Sequence, residues 1–335
     1  MKTKTSCCNR GISISIGSLG LALAAAAPSN AGLIITPTFD TTITSDVNAL
    51  AIEATINQAI AFYQNTFSDP ITVTIKFQTL TSNTEIGHSD WWWYNLSYSS
   101  FRSALATDAT SANDAIALAH LPNVSTNPIT GTTTIDVKTA NIKALAIPGS
   151  FPSQLAGGFD GIIGLNISKT FPPNAQSSNY SLLMTTEHEI DEVLGLASDL
   201  QSPGFNAPYP EDLYRYDSAG NRSFTTAGDD AYFSIDGSTD LARFNQNSSG
   251  DYGDWWCAGA HTPQVQDAFL TKGVTPTPGV ELTALDVIGY DLSSVPEPAM
   301  LPILSFVGIF LIRYQRQSCR RKQSPPSPTA ALLVR

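Results

Sequence analysis

The segment at residues 186–195 holds the residues of this chain whose types and spacing could do chemistry. His188 is followed directly by Glu189 and, four residues on, by Glu192. Residues at i and i+4 lie on one face of a helix, so His188 and Glu192 could bind one divalent cation together. A His-Glu-x-x-His helix binds Zn²⁺ in this way, and the Glu after its first histidine acts as a general base toward water. The segment therefore predicts a hydrolytic metal site, with His188 and Glu192 as ligands and Glu189 as the catalytic base.

Glu192 stands where the second histidine of that motif would be. Carboxylate oxygens bind Zn²⁺ at about 2.0–2.2 Å, so Glu192 is chemically suitable as a ligand. One more anionic ligand lowers the net charge of the site, which weakens its power to acidify water and its preference for zinc over ions such as Mn²⁺. We expect Zn²⁺ as the cofactor.

The charge of this segment leaves two interpretations open. Glu187, Glu189, Asp191 and Glu192 place four carboxylates around one histidine. Like charges at i and i+4 repel each other on a helix. A bound divalent cation would offset that repulsion, whereas an acidic helix on the surface would leave its charges to the solvent. The sequence favours the metal site and leaves the solvated helix as the alternative.

A third ligand must come from outside the motif. Gly195 follows His188 by seven residues, where one class of zinc proteases keeps a glycine, and Asp199 lies next to the position of that class's third ligand. Asp212 fits the looser spacing of sites that are completed from a following helix. His261 is the remaining histidine downstream. The sequence leaves open which of the three completes the site.

Periodicity places the motif on a helix beside a sheet. We predict the motif helix at residues 180–194 and another long helix at 46–67, where apolar residues recur at helical spacing. Strict alternation of apolar and polar residues at 71–77 predicts a half-buried strand. A glycine-punctuated strand at 157–168 precedes the motif helix, and we expect it to be the sheet edge beside the site or the neighbour of that edge. Loops then dominate until a short helix at 281–290.

These elements predict an α+β fold of the zincin-like type. A mixed-sheet lobe with the metal-site helix would extend to about residue 195, and a loop-rich lobe would occupy residues 196–295. A helix with one face packed on a sheet and the other turned to a cleft suits a metal site.

Both ends of the chain have the composition of processing signals. Residues 1–31 combine basic residues, an apolar run and a small-residue cleavage site, which predicts a secretory signal peptide. Residues 296–322 run from Pro-Glu-Pro through a short apolar stretch to a basic cluster, and they resemble the PEP-CTERM sorting signal. That resemblance implies an exosortase-type partner, transient contact of residues 299–312 with the inner membrane, and delivery to the cell surface or outside. A retained membrane anchor is the alternative. Residues 323–335 are expected to form a disordered tail.

The region between these signals is strongly acidic. The whole chain has 335 residues and a formal net charge of −11. Residues 32–295 hold nine Lys and Arg against 28 Asp and Glu, so their formal charge is −19. Such a charge argues against nucleic acid as a partner. Cys257 is the only cysteine of this region, so no disulfide can form within it.

With these motifs, the chain resembles the PEP-CTERM-associated metalloprotease family of exported bacterial proteins. In that family the helix motif is itself His-Glu-x-x-Glu. The resemblance therefore implies that Glu192 is the family's usual ligand at this position and not a replacement for a lost histidine. The family usually has a basic residue after the motif glycine, where this chain has Leu196. The resemblance implies a secreted, surface-sorted, zinc-dependent metallopeptidase that acts on protein or peptide substrates. It covers residues 45–295 through the segments 98–122, 160–161, 188–195, 212–216, 232–237, 250–255 and 282–290.

A second function class stays open. A non-catalytic extracellular matrix or surface-binding protein could keep the same scaffold without the reaction. The aromatic run at residues 91–94 would then line a binding surface for polysaccharide. The acidic loops at 229–230, 236–240 and 251–254 could hold Ca²⁺, although none has the EF-hand pattern. Metal content and the effect of Glu189→Gln on hydrolysis separate the two classes.

Overall fold

Strands and helices are mixed in this fold, which we describe from a computed structural model. The described residues through Asp291 form one compact unit, and Leu292 and Ser293 belong to a second unit. Within the described part of the chain, no helix is both long enough and apolar enough to cross a membrane. The predicted signal peptide, the sorting signal with residues 299–312 and the tail lie outside the described residues. Those described are 32–173, 176, 178–201, 207–228, 230–259 and 261–293.

The elements alternate along the first half of the chain, and short strands dominate the second half. The α-helices of the described residues are α1 (Thr41–Thr44), α2 (Ala49–Thr66), α3 (Tyr98–Asp108), α4 (Ala112–His120), α5 (Thr139–Ala144), α6 (Leu182–Leu194) and α7 (Val280–Val287). The strands are β1 (Ile34–Phe39), β2 (Thr72–Thr79), β3 (Gly87–Trp91), β4 (Trp93–Ser97), β5 (Thr134–Lys138), β6 (Gly161–Leu165), β7 (Thr170–Phe171), β8 (Tyr180–Ser181), β9 (Arg215–Asp217), β10 (Ala231–Phe233) and β11 (Ala242–Arg243). The fold belongs to the α+β class.

The largest sheet has the strand order β1-β2-β6-β3. Strands β1, β2 and β6 run parallel, and β3 is antiparallel to β6 at the edge of the sheet. The strand that we predicted at residues 157–168 is β6, and it is the neighbour of the edge strand, as expected. Because β3 also packs against α6, the edge of the sheet lies beside the motif helix.

Helix α2 follows the apolar spacing that predicted it. Ile52, Ile56, Ile60 and Tyr63 are buried on one side of the helix, which packs against α6 and β1. The predicted helix began at residue 46, but residues 46–48 form a turn in which the Asp46 carboxylate accepts from the backbone N–H of Asn48 at 2.7 Å.

The motif helix α6 begins two residues later than predicted. Tyr180 and Ser181 form the short strand β8, which pairs with β7. The Ser181 hydroxyl then accepts from the backbone N–H of Met184 at 3.1 Å and caps the helix. Gly195 ends α6, as predicted. A Cβ atom there would lie 2.5 Å from Cδ1 of Ile288, so this position needs glycine for close packing against the end of α7.

The second half of the chain packs against α6 with little regular structure. A three-stranded sheet has the order β11-β10-β9, and Trp255 is fully buried against Phe233 and Phe244. Helix α7 closes the core by packing against α4 and α6. The loops that carry residues 251–267 are thereby held close to the motif helix.

Candidate metal centre

Every residue of α6 is buried, including its acidic ones. Glu187, Glu189, Asp191 and Glu192 are each at most 6% exposed. Burial, together with the nearby charge of Glu281, raises the pKa of Glu187 to about 8. Charged side chains are costly to bury without partners, so these carboxylates are not the solvated face of a surface helix. The interpretation of the motif as a solvated acidic helix is therefore wrong.

One of these carboxylates, that of Asp191, faces α2. The Tyr63 hydroxyl donates to Oδ1 of Asp191 at 2.7 Å and lies 3.0 Å from the backbone oxygen of Glu187. Burial, followed by the charge of Glu281, raises the pKa of Asp191 well above its ordinary value. This contact assigns Asp191 a structural role against α2 and leaves Glu189 and Glu192 for the metal side.

His188, Glu192 and Asp254 form the one group of possible metal ligands found among the described residues. One ligand atom of each lies within 4.8 Å of those of the others, and all three residues are buried. Nε2 of His188 is 3.6 Å from Oε1 of Glu192 and 3.8 Å from Oδ1 of Asp254. Since direct bonds from such atoms to Zn²⁺ measure about 2.0–2.2 Å, these separations leave room for one ion between them.

The imidazole of His188 is oriented by a backbone contact. Its Nδ1 lies 3.0 Å from the carbonyl oxygen of Val265, which fits an Nδ1–H donor and leaves the lone pair on Nε2 toward the group. Burial lowers the pKa of His188, but the charges of Asp254 and Glu192 outweigh it and raise that pKa overall. A proton at Nε2 therefore competes with a metal ion for the same lone pair.

Asp254 is held in place by a hydrogen bond to its backbone and by the contacts of its neighbours Gly253 and Trp255. The backbone N–H of Asn245 donates to the carbonyl oxygen of Asp254 at 2.7 Å. The indole N–H of Trp255 donates to Glu281 at 3.1 Å. A Cβ atom at Gly253 would lie 2.8 Å from the backbone of Ala197, so glycine lets this segment approach the end of α6.

Glu189 lies beside the group and against the edge strand. Its carboxylate is buried, and its Oε2 atom has no hydrogen-bond partner. A Cβ atom at Gly87 on β3 would lie only 2.1 Å from Oε1 of Glu189, so the strand can pass this carboxylate because it has glycine there. Burial, with the charge of Glu192, raises the pKa of Glu189 well above its ordinary value. Such a carboxyl holds a proton more readily than an exposed glutamate does.

Glu192 is kept ionised by the groups around it. Burial works against its charge, but the contact and charge of His188, the charge of Lys138 and a hydrogen bond from Ser89 lower its pKa below the ordinary value. The Ser89 hydroxyl, on β3, donates to Oε2 of Glu192. Oε1 is the atom that faces His188, so the carboxylate has one oxygen fixed by the sheet and one available to a cation.

Lys138, the last residue of β5, stabilises the C-terminal end of α6. Its ammonium group donates to the backbone oxygens of Glu192 and, at 2.9 Å, of Leu196. It also lies 3.4 Å from the ring centre of Trp91, in a cation–π contact. Burial lowers the pKa of Lys138 to about 7, although the carboxylates of Glu192 and Glu211 oppose that shift. A cation at the C-terminus of a helix interacts favourably with the helix dipole, and it also offsets part of the local negative charge.

The structure brings none of the three predicted third ligands into the described group. Asp212 accepts from the Ser198 hydroxyl at 2.6 Å, from the Asp199 N–H at 3.0 Å and from the Tyr209 N–H at 2.9 Å. Its carboxylate therefore braces the loop after α6. Asp199 contributes its backbone to that bracing, and burial raises the pKa of its side chain to about 7. His261 Nε2 lies 2.9 Å from Oδ2 of Asp267 instead.

The acidic loops have different roles from one another. Asp236 accepts from the backbone N–H groups of Ser238 and Thr239, both at 2.7 Å, and these bonds lower its pKa. Asp230 pairs with Arg243. The loop at 251–254 contributes Asp254 to the group of possible metal ligands. Calcium binding by the other loops stays a prediction.

Two residues of the centre could not be found from spacing. Asp254 completes the group, and Gln266 lies 3.3 Å from Nε2 of His188 through its amide nitrogen. Both come from the loops after α6, and the only signal was the Asp-rich, Gly-rich composition near residue 254. Asp254 has no characteristic spacing to His188, so spacing favours Asp199 and Asp212 instead.

The donor set fits a divalent cation. It combines one imidazole nitrogen with two carboxylates in a buried place, and a third carboxylate, Glu189, lies alongside. Three carboxylates against His188 and Lys138 leave an excess of negative charge that a divalent ion would offset. His188, Glu192 and Asp254 would hold the ion, and Glu189 would stay free for proton transfer.

The chain matches no protein-family model, no curated protein and no solved structure.

Proposed function

We propose that this chain is a metal-dependent peptidase of the zincin-like type. The observation that carries the proposal is the convergence of His188, Glu192 and Asp254 in one buried group, with the Glu189 carboxylate beside it. Zn²⁺ is the ion expected from the motif. A metal site with three protein ligands and an adjacent general base is the arrangement that metal-dependent hydrolases use.

When bound, the divalent cation supplies Lewis-acid chemistry, which lowers the pKa of water and polarises a carbonyl group. The chain's own residues do the rest. The Glu189 carboxylate takes a proton from the attacking water and returns it to the nitrogen of the leaving amine. Ser89 and the backbone contact of His188 hold the ligands in orientation. The buried surroundings keep bulk water away from the proton on Glu189.

An extended peptide is the substrate that the sheet supports. Strand β3 is the edge of the main sheet and lies against α6, so a peptide paired with β3 would run past the metal group. Ser89 of β3 contacts Glu192, and Gly87 of β3 contacts Glu189. The edge strand and the site are thus directly connected.

Export and surface sorting are part of the same proposal. They rest on the signal-peptide pattern of residues 1–31 and the PEP-CTERM pattern of residues 296–322, together with the resemblance to the PEP-CTERM-associated metalloprotease family. The proposed partners are an exosortase-type sorting enzyme and a protein or peptide substrate, with residues 299–312 in transient contact with the inner membrane.

The first prediction tests the catalytic base. In the purified protein, Glu189→Gln should lower hydrolysis of a casein-type substrate at least about 100-fold, because the amide cannot accept the proton. Metal content should stay the same. Glu187→Gln is the matched control, since Glu187 is a buried glutamate of the same helix on its other side, and it should keep its activity. Equal activity of wild type and Glu189→Gln would rule out the peptidase.

A non-catalytic surface-binding protein with a structural ion is the second candidate. The observation in its favour is the burial of all four site residues, since structural metal sites are closed to solvent. In that case the wild-type protein would hold stoichiometric metal and lose thermal stability with a chelator, and it would not cleave peptides.

A further inference from the structure

Gln266 is a fully buried amide directed into the metal group. Its backbone is fixed on both sides, because its N–H donates to Oε1 of Glu281 at 3.0 Å and its carbonyl oxygen accepts from the N–H of Trp255 at 2.7 Å. The neighbouring residue, Val265, accepts the hydrogen bond that orients His188. The segment therefore positions the Gln266 side chain and the His188 ring together.

The Gln266 side chain contacts two of the three ligand atoms at once. Its Nε2 donates to Oδ1 of Asp254 at 2.9 Å and lies 3.3 Å from Nε2 of His188. The other end of the same amide, Oε1, is buried and has no hydrogen-bond partner. A polar side chain that contacts both ligand atoms and leaves its acceptor unused is not explained by packing alone.

The two ends of an amide differ in what they offer a cation. The NH₂ group is a donor with no lone pair to give, whereas the carbonyl oxygen is a ligand for hard cations. The two ends have nearly the same shape, so a half-turn of the group exchanges their places. Without an ion, the orientation with Nε2 toward Asp254 is favoured, because in it the amide donates to Oδ1 and only Oε1 lacks a partner. A cation between His188 and Asp254 selects the oxygen.

We propose that Gln266 is the fourth protein ligand of the metal centre and binds the ion through its carbonyl oxygen. The inference rests on the proposed function, because it concerns the same ion. It adds an oxygen donor to one nitrogen and two carboxylates. Oxygen-rich sets suit ions that accept five or six ligands, such as Mn²⁺, and such ions leave positions for water and substrate beside four protein ligands.

Two substitutions at this position separate a ligand from a hydrogen-bond donor. Gln266→Leu keeps the approximate size of the side chain but can neither bind a cation nor donate a hydrogen bond. Gln266→Glu keeps the shape and can bind a cation, but it cannot donate to Asp254. Gln264→Leu is the matched control on the same segment. Each full-length protein is titrated with Zn²⁺ and with Mn²⁺ against a competing chelator, and the visible absorption of its Co²⁺ form is recorded.

The expected result is a loss of affinity in Gln266→Leu of at least about 10-fold, larger for Mn²⁺ than for Zn²⁺, with a changed Co²⁺ spectrum. Gln266→Glu should bind within a few-fold of wild type or more tightly, and Gln264→Leu should match wild type. Circular dichroism checks that each variant is folded.

The outcomes that overturn the inference differ from one another. If both the Gln266→Glu and the Gln266→Leu variant bind the metal more weakly than wild type, Gln266 acts only as a hydrogen-bond donor to Asp254. If neither is weakened, Gln266 has no role in binding, and the proposed peptidase stands with three ligands. If the wild-type chain itself binds none of the three ions, the metal centre and this inference fall together.

Discussion

Asp254 faces His188 and Glu192 from a segment that shares no sequence spacing with them. Its Oδ1 lies 3.8 Å from Nε2 of His188 and accepts the Gln266 amide at 2.9 Å. Burial raises the pKa of Asp254 well above its ordinary value, and the charge of His188 opposes that shift. A buried carboxylate in this position is stabilised in its charged form by a cation, so metal binding should depend on it.

Replacement of Asp254 by Asn should lower the affinity for Zn²⁺ at least about 10-fold, because one anionic ligand becomes a neutral one. A chelator competition titration measures the change. Asp236→Asn is the control, since Asp236 only accepts hydrogen bonds within its own turn. Equal affinities of the two variants would remove Asp254 from the ligand set.

Sequence spacing predicted the part of the site that lies on one helix. His188, Glu189 and Glu192 follow from helical periodicity, which is a local property of the chain. Asp254 and Gln266 reach the site through contacts between distant segments, and no local pattern encodes those. Asp199 and Asp212 were plausible by spacing, but the loop after α6 uses them for its own hydrogen bonds.

At the level of elements, the approach of β3 to α6 decides where Glu189 lies. Gly87 is a point of close approach, since a Cβ atom there would also lie 2.9 Å from Cγ2 of Thr185. The backbone of β3 can accept any residue at Gly87, so the constraint is space alone.

Gly87→Ala should therefore displace the Glu189 carboxylate and lower peptide hydrolysis at least about 10-fold, with a loss of about 1–3 kcal/mol in the free energy of unfolding. Metal affinity should change little, because the ligand atoms lie elsewhere. Gly164→Ala on β6 is the control, since the atoms nearest to its Cβ would be Cβ of Leu80 at 3.3 Å and the backbone oxygen of His88 at 3.8 Å, with no contact to Glu189 among them. Activity assays and chemical denaturation of both variants check this, and unchanged activity in Gly87→Ala would contradict it.

The elements that periodicity predicted are those with one buried face. Helix α2 and strand β2 show clear apolar spacing, and both are present with shifted ends. Strand β3 has four small or polar residues before Trp91, and β4 begins with two aromatic residues, so neither strand shows a clear alternation of apolar and polar residues. The start of α6 moved because β8 pairs with β7, a contact that a single segment does not reveal.

For the whole molecule, buried carboxyls outside the metal centre affect stability. Burial raises the pKa values of Asp69 and Asp108 to about 7. Both values exceed those of the unfolded chain, so the folded state binds more protons between about pH 4 and pH 7. Their contribution to stability is fully present below about pH 4 and is lost as the pH rises through 7.

Asp69→Asn should raise the free energy of unfolding by on the order of 2 kcal/mol more at pH 8 than at pH 5, because the buried charge that it removes is present in the folded state only at the higher pH. Chemical denaturation at both pH values, with a chelator present, measures this without metal linkage. Asp240→Asn, at an exposed position, should leave both values unchanged. A stabilisation of Asp69→Asn that is the same at both pH values would exclude titration as its cause.

The distance along the chain between the two halves of the centre affects how the protein is made. Gln266 follows His188 by 78 residues, and Asp254 lies between them in the chain. While the polypeptide emerges from the ribosome, α6 is complete long before its partners exist. The emerging chain therefore carries an incomplete centre until its last quarter has been synthesised and has folded back onto the helix. If the chain is the proposed peptidase, a nascent or truncated form that ends before residue 254 lacks one of the three ligands and has no activity against the proteins of the cell that makes it.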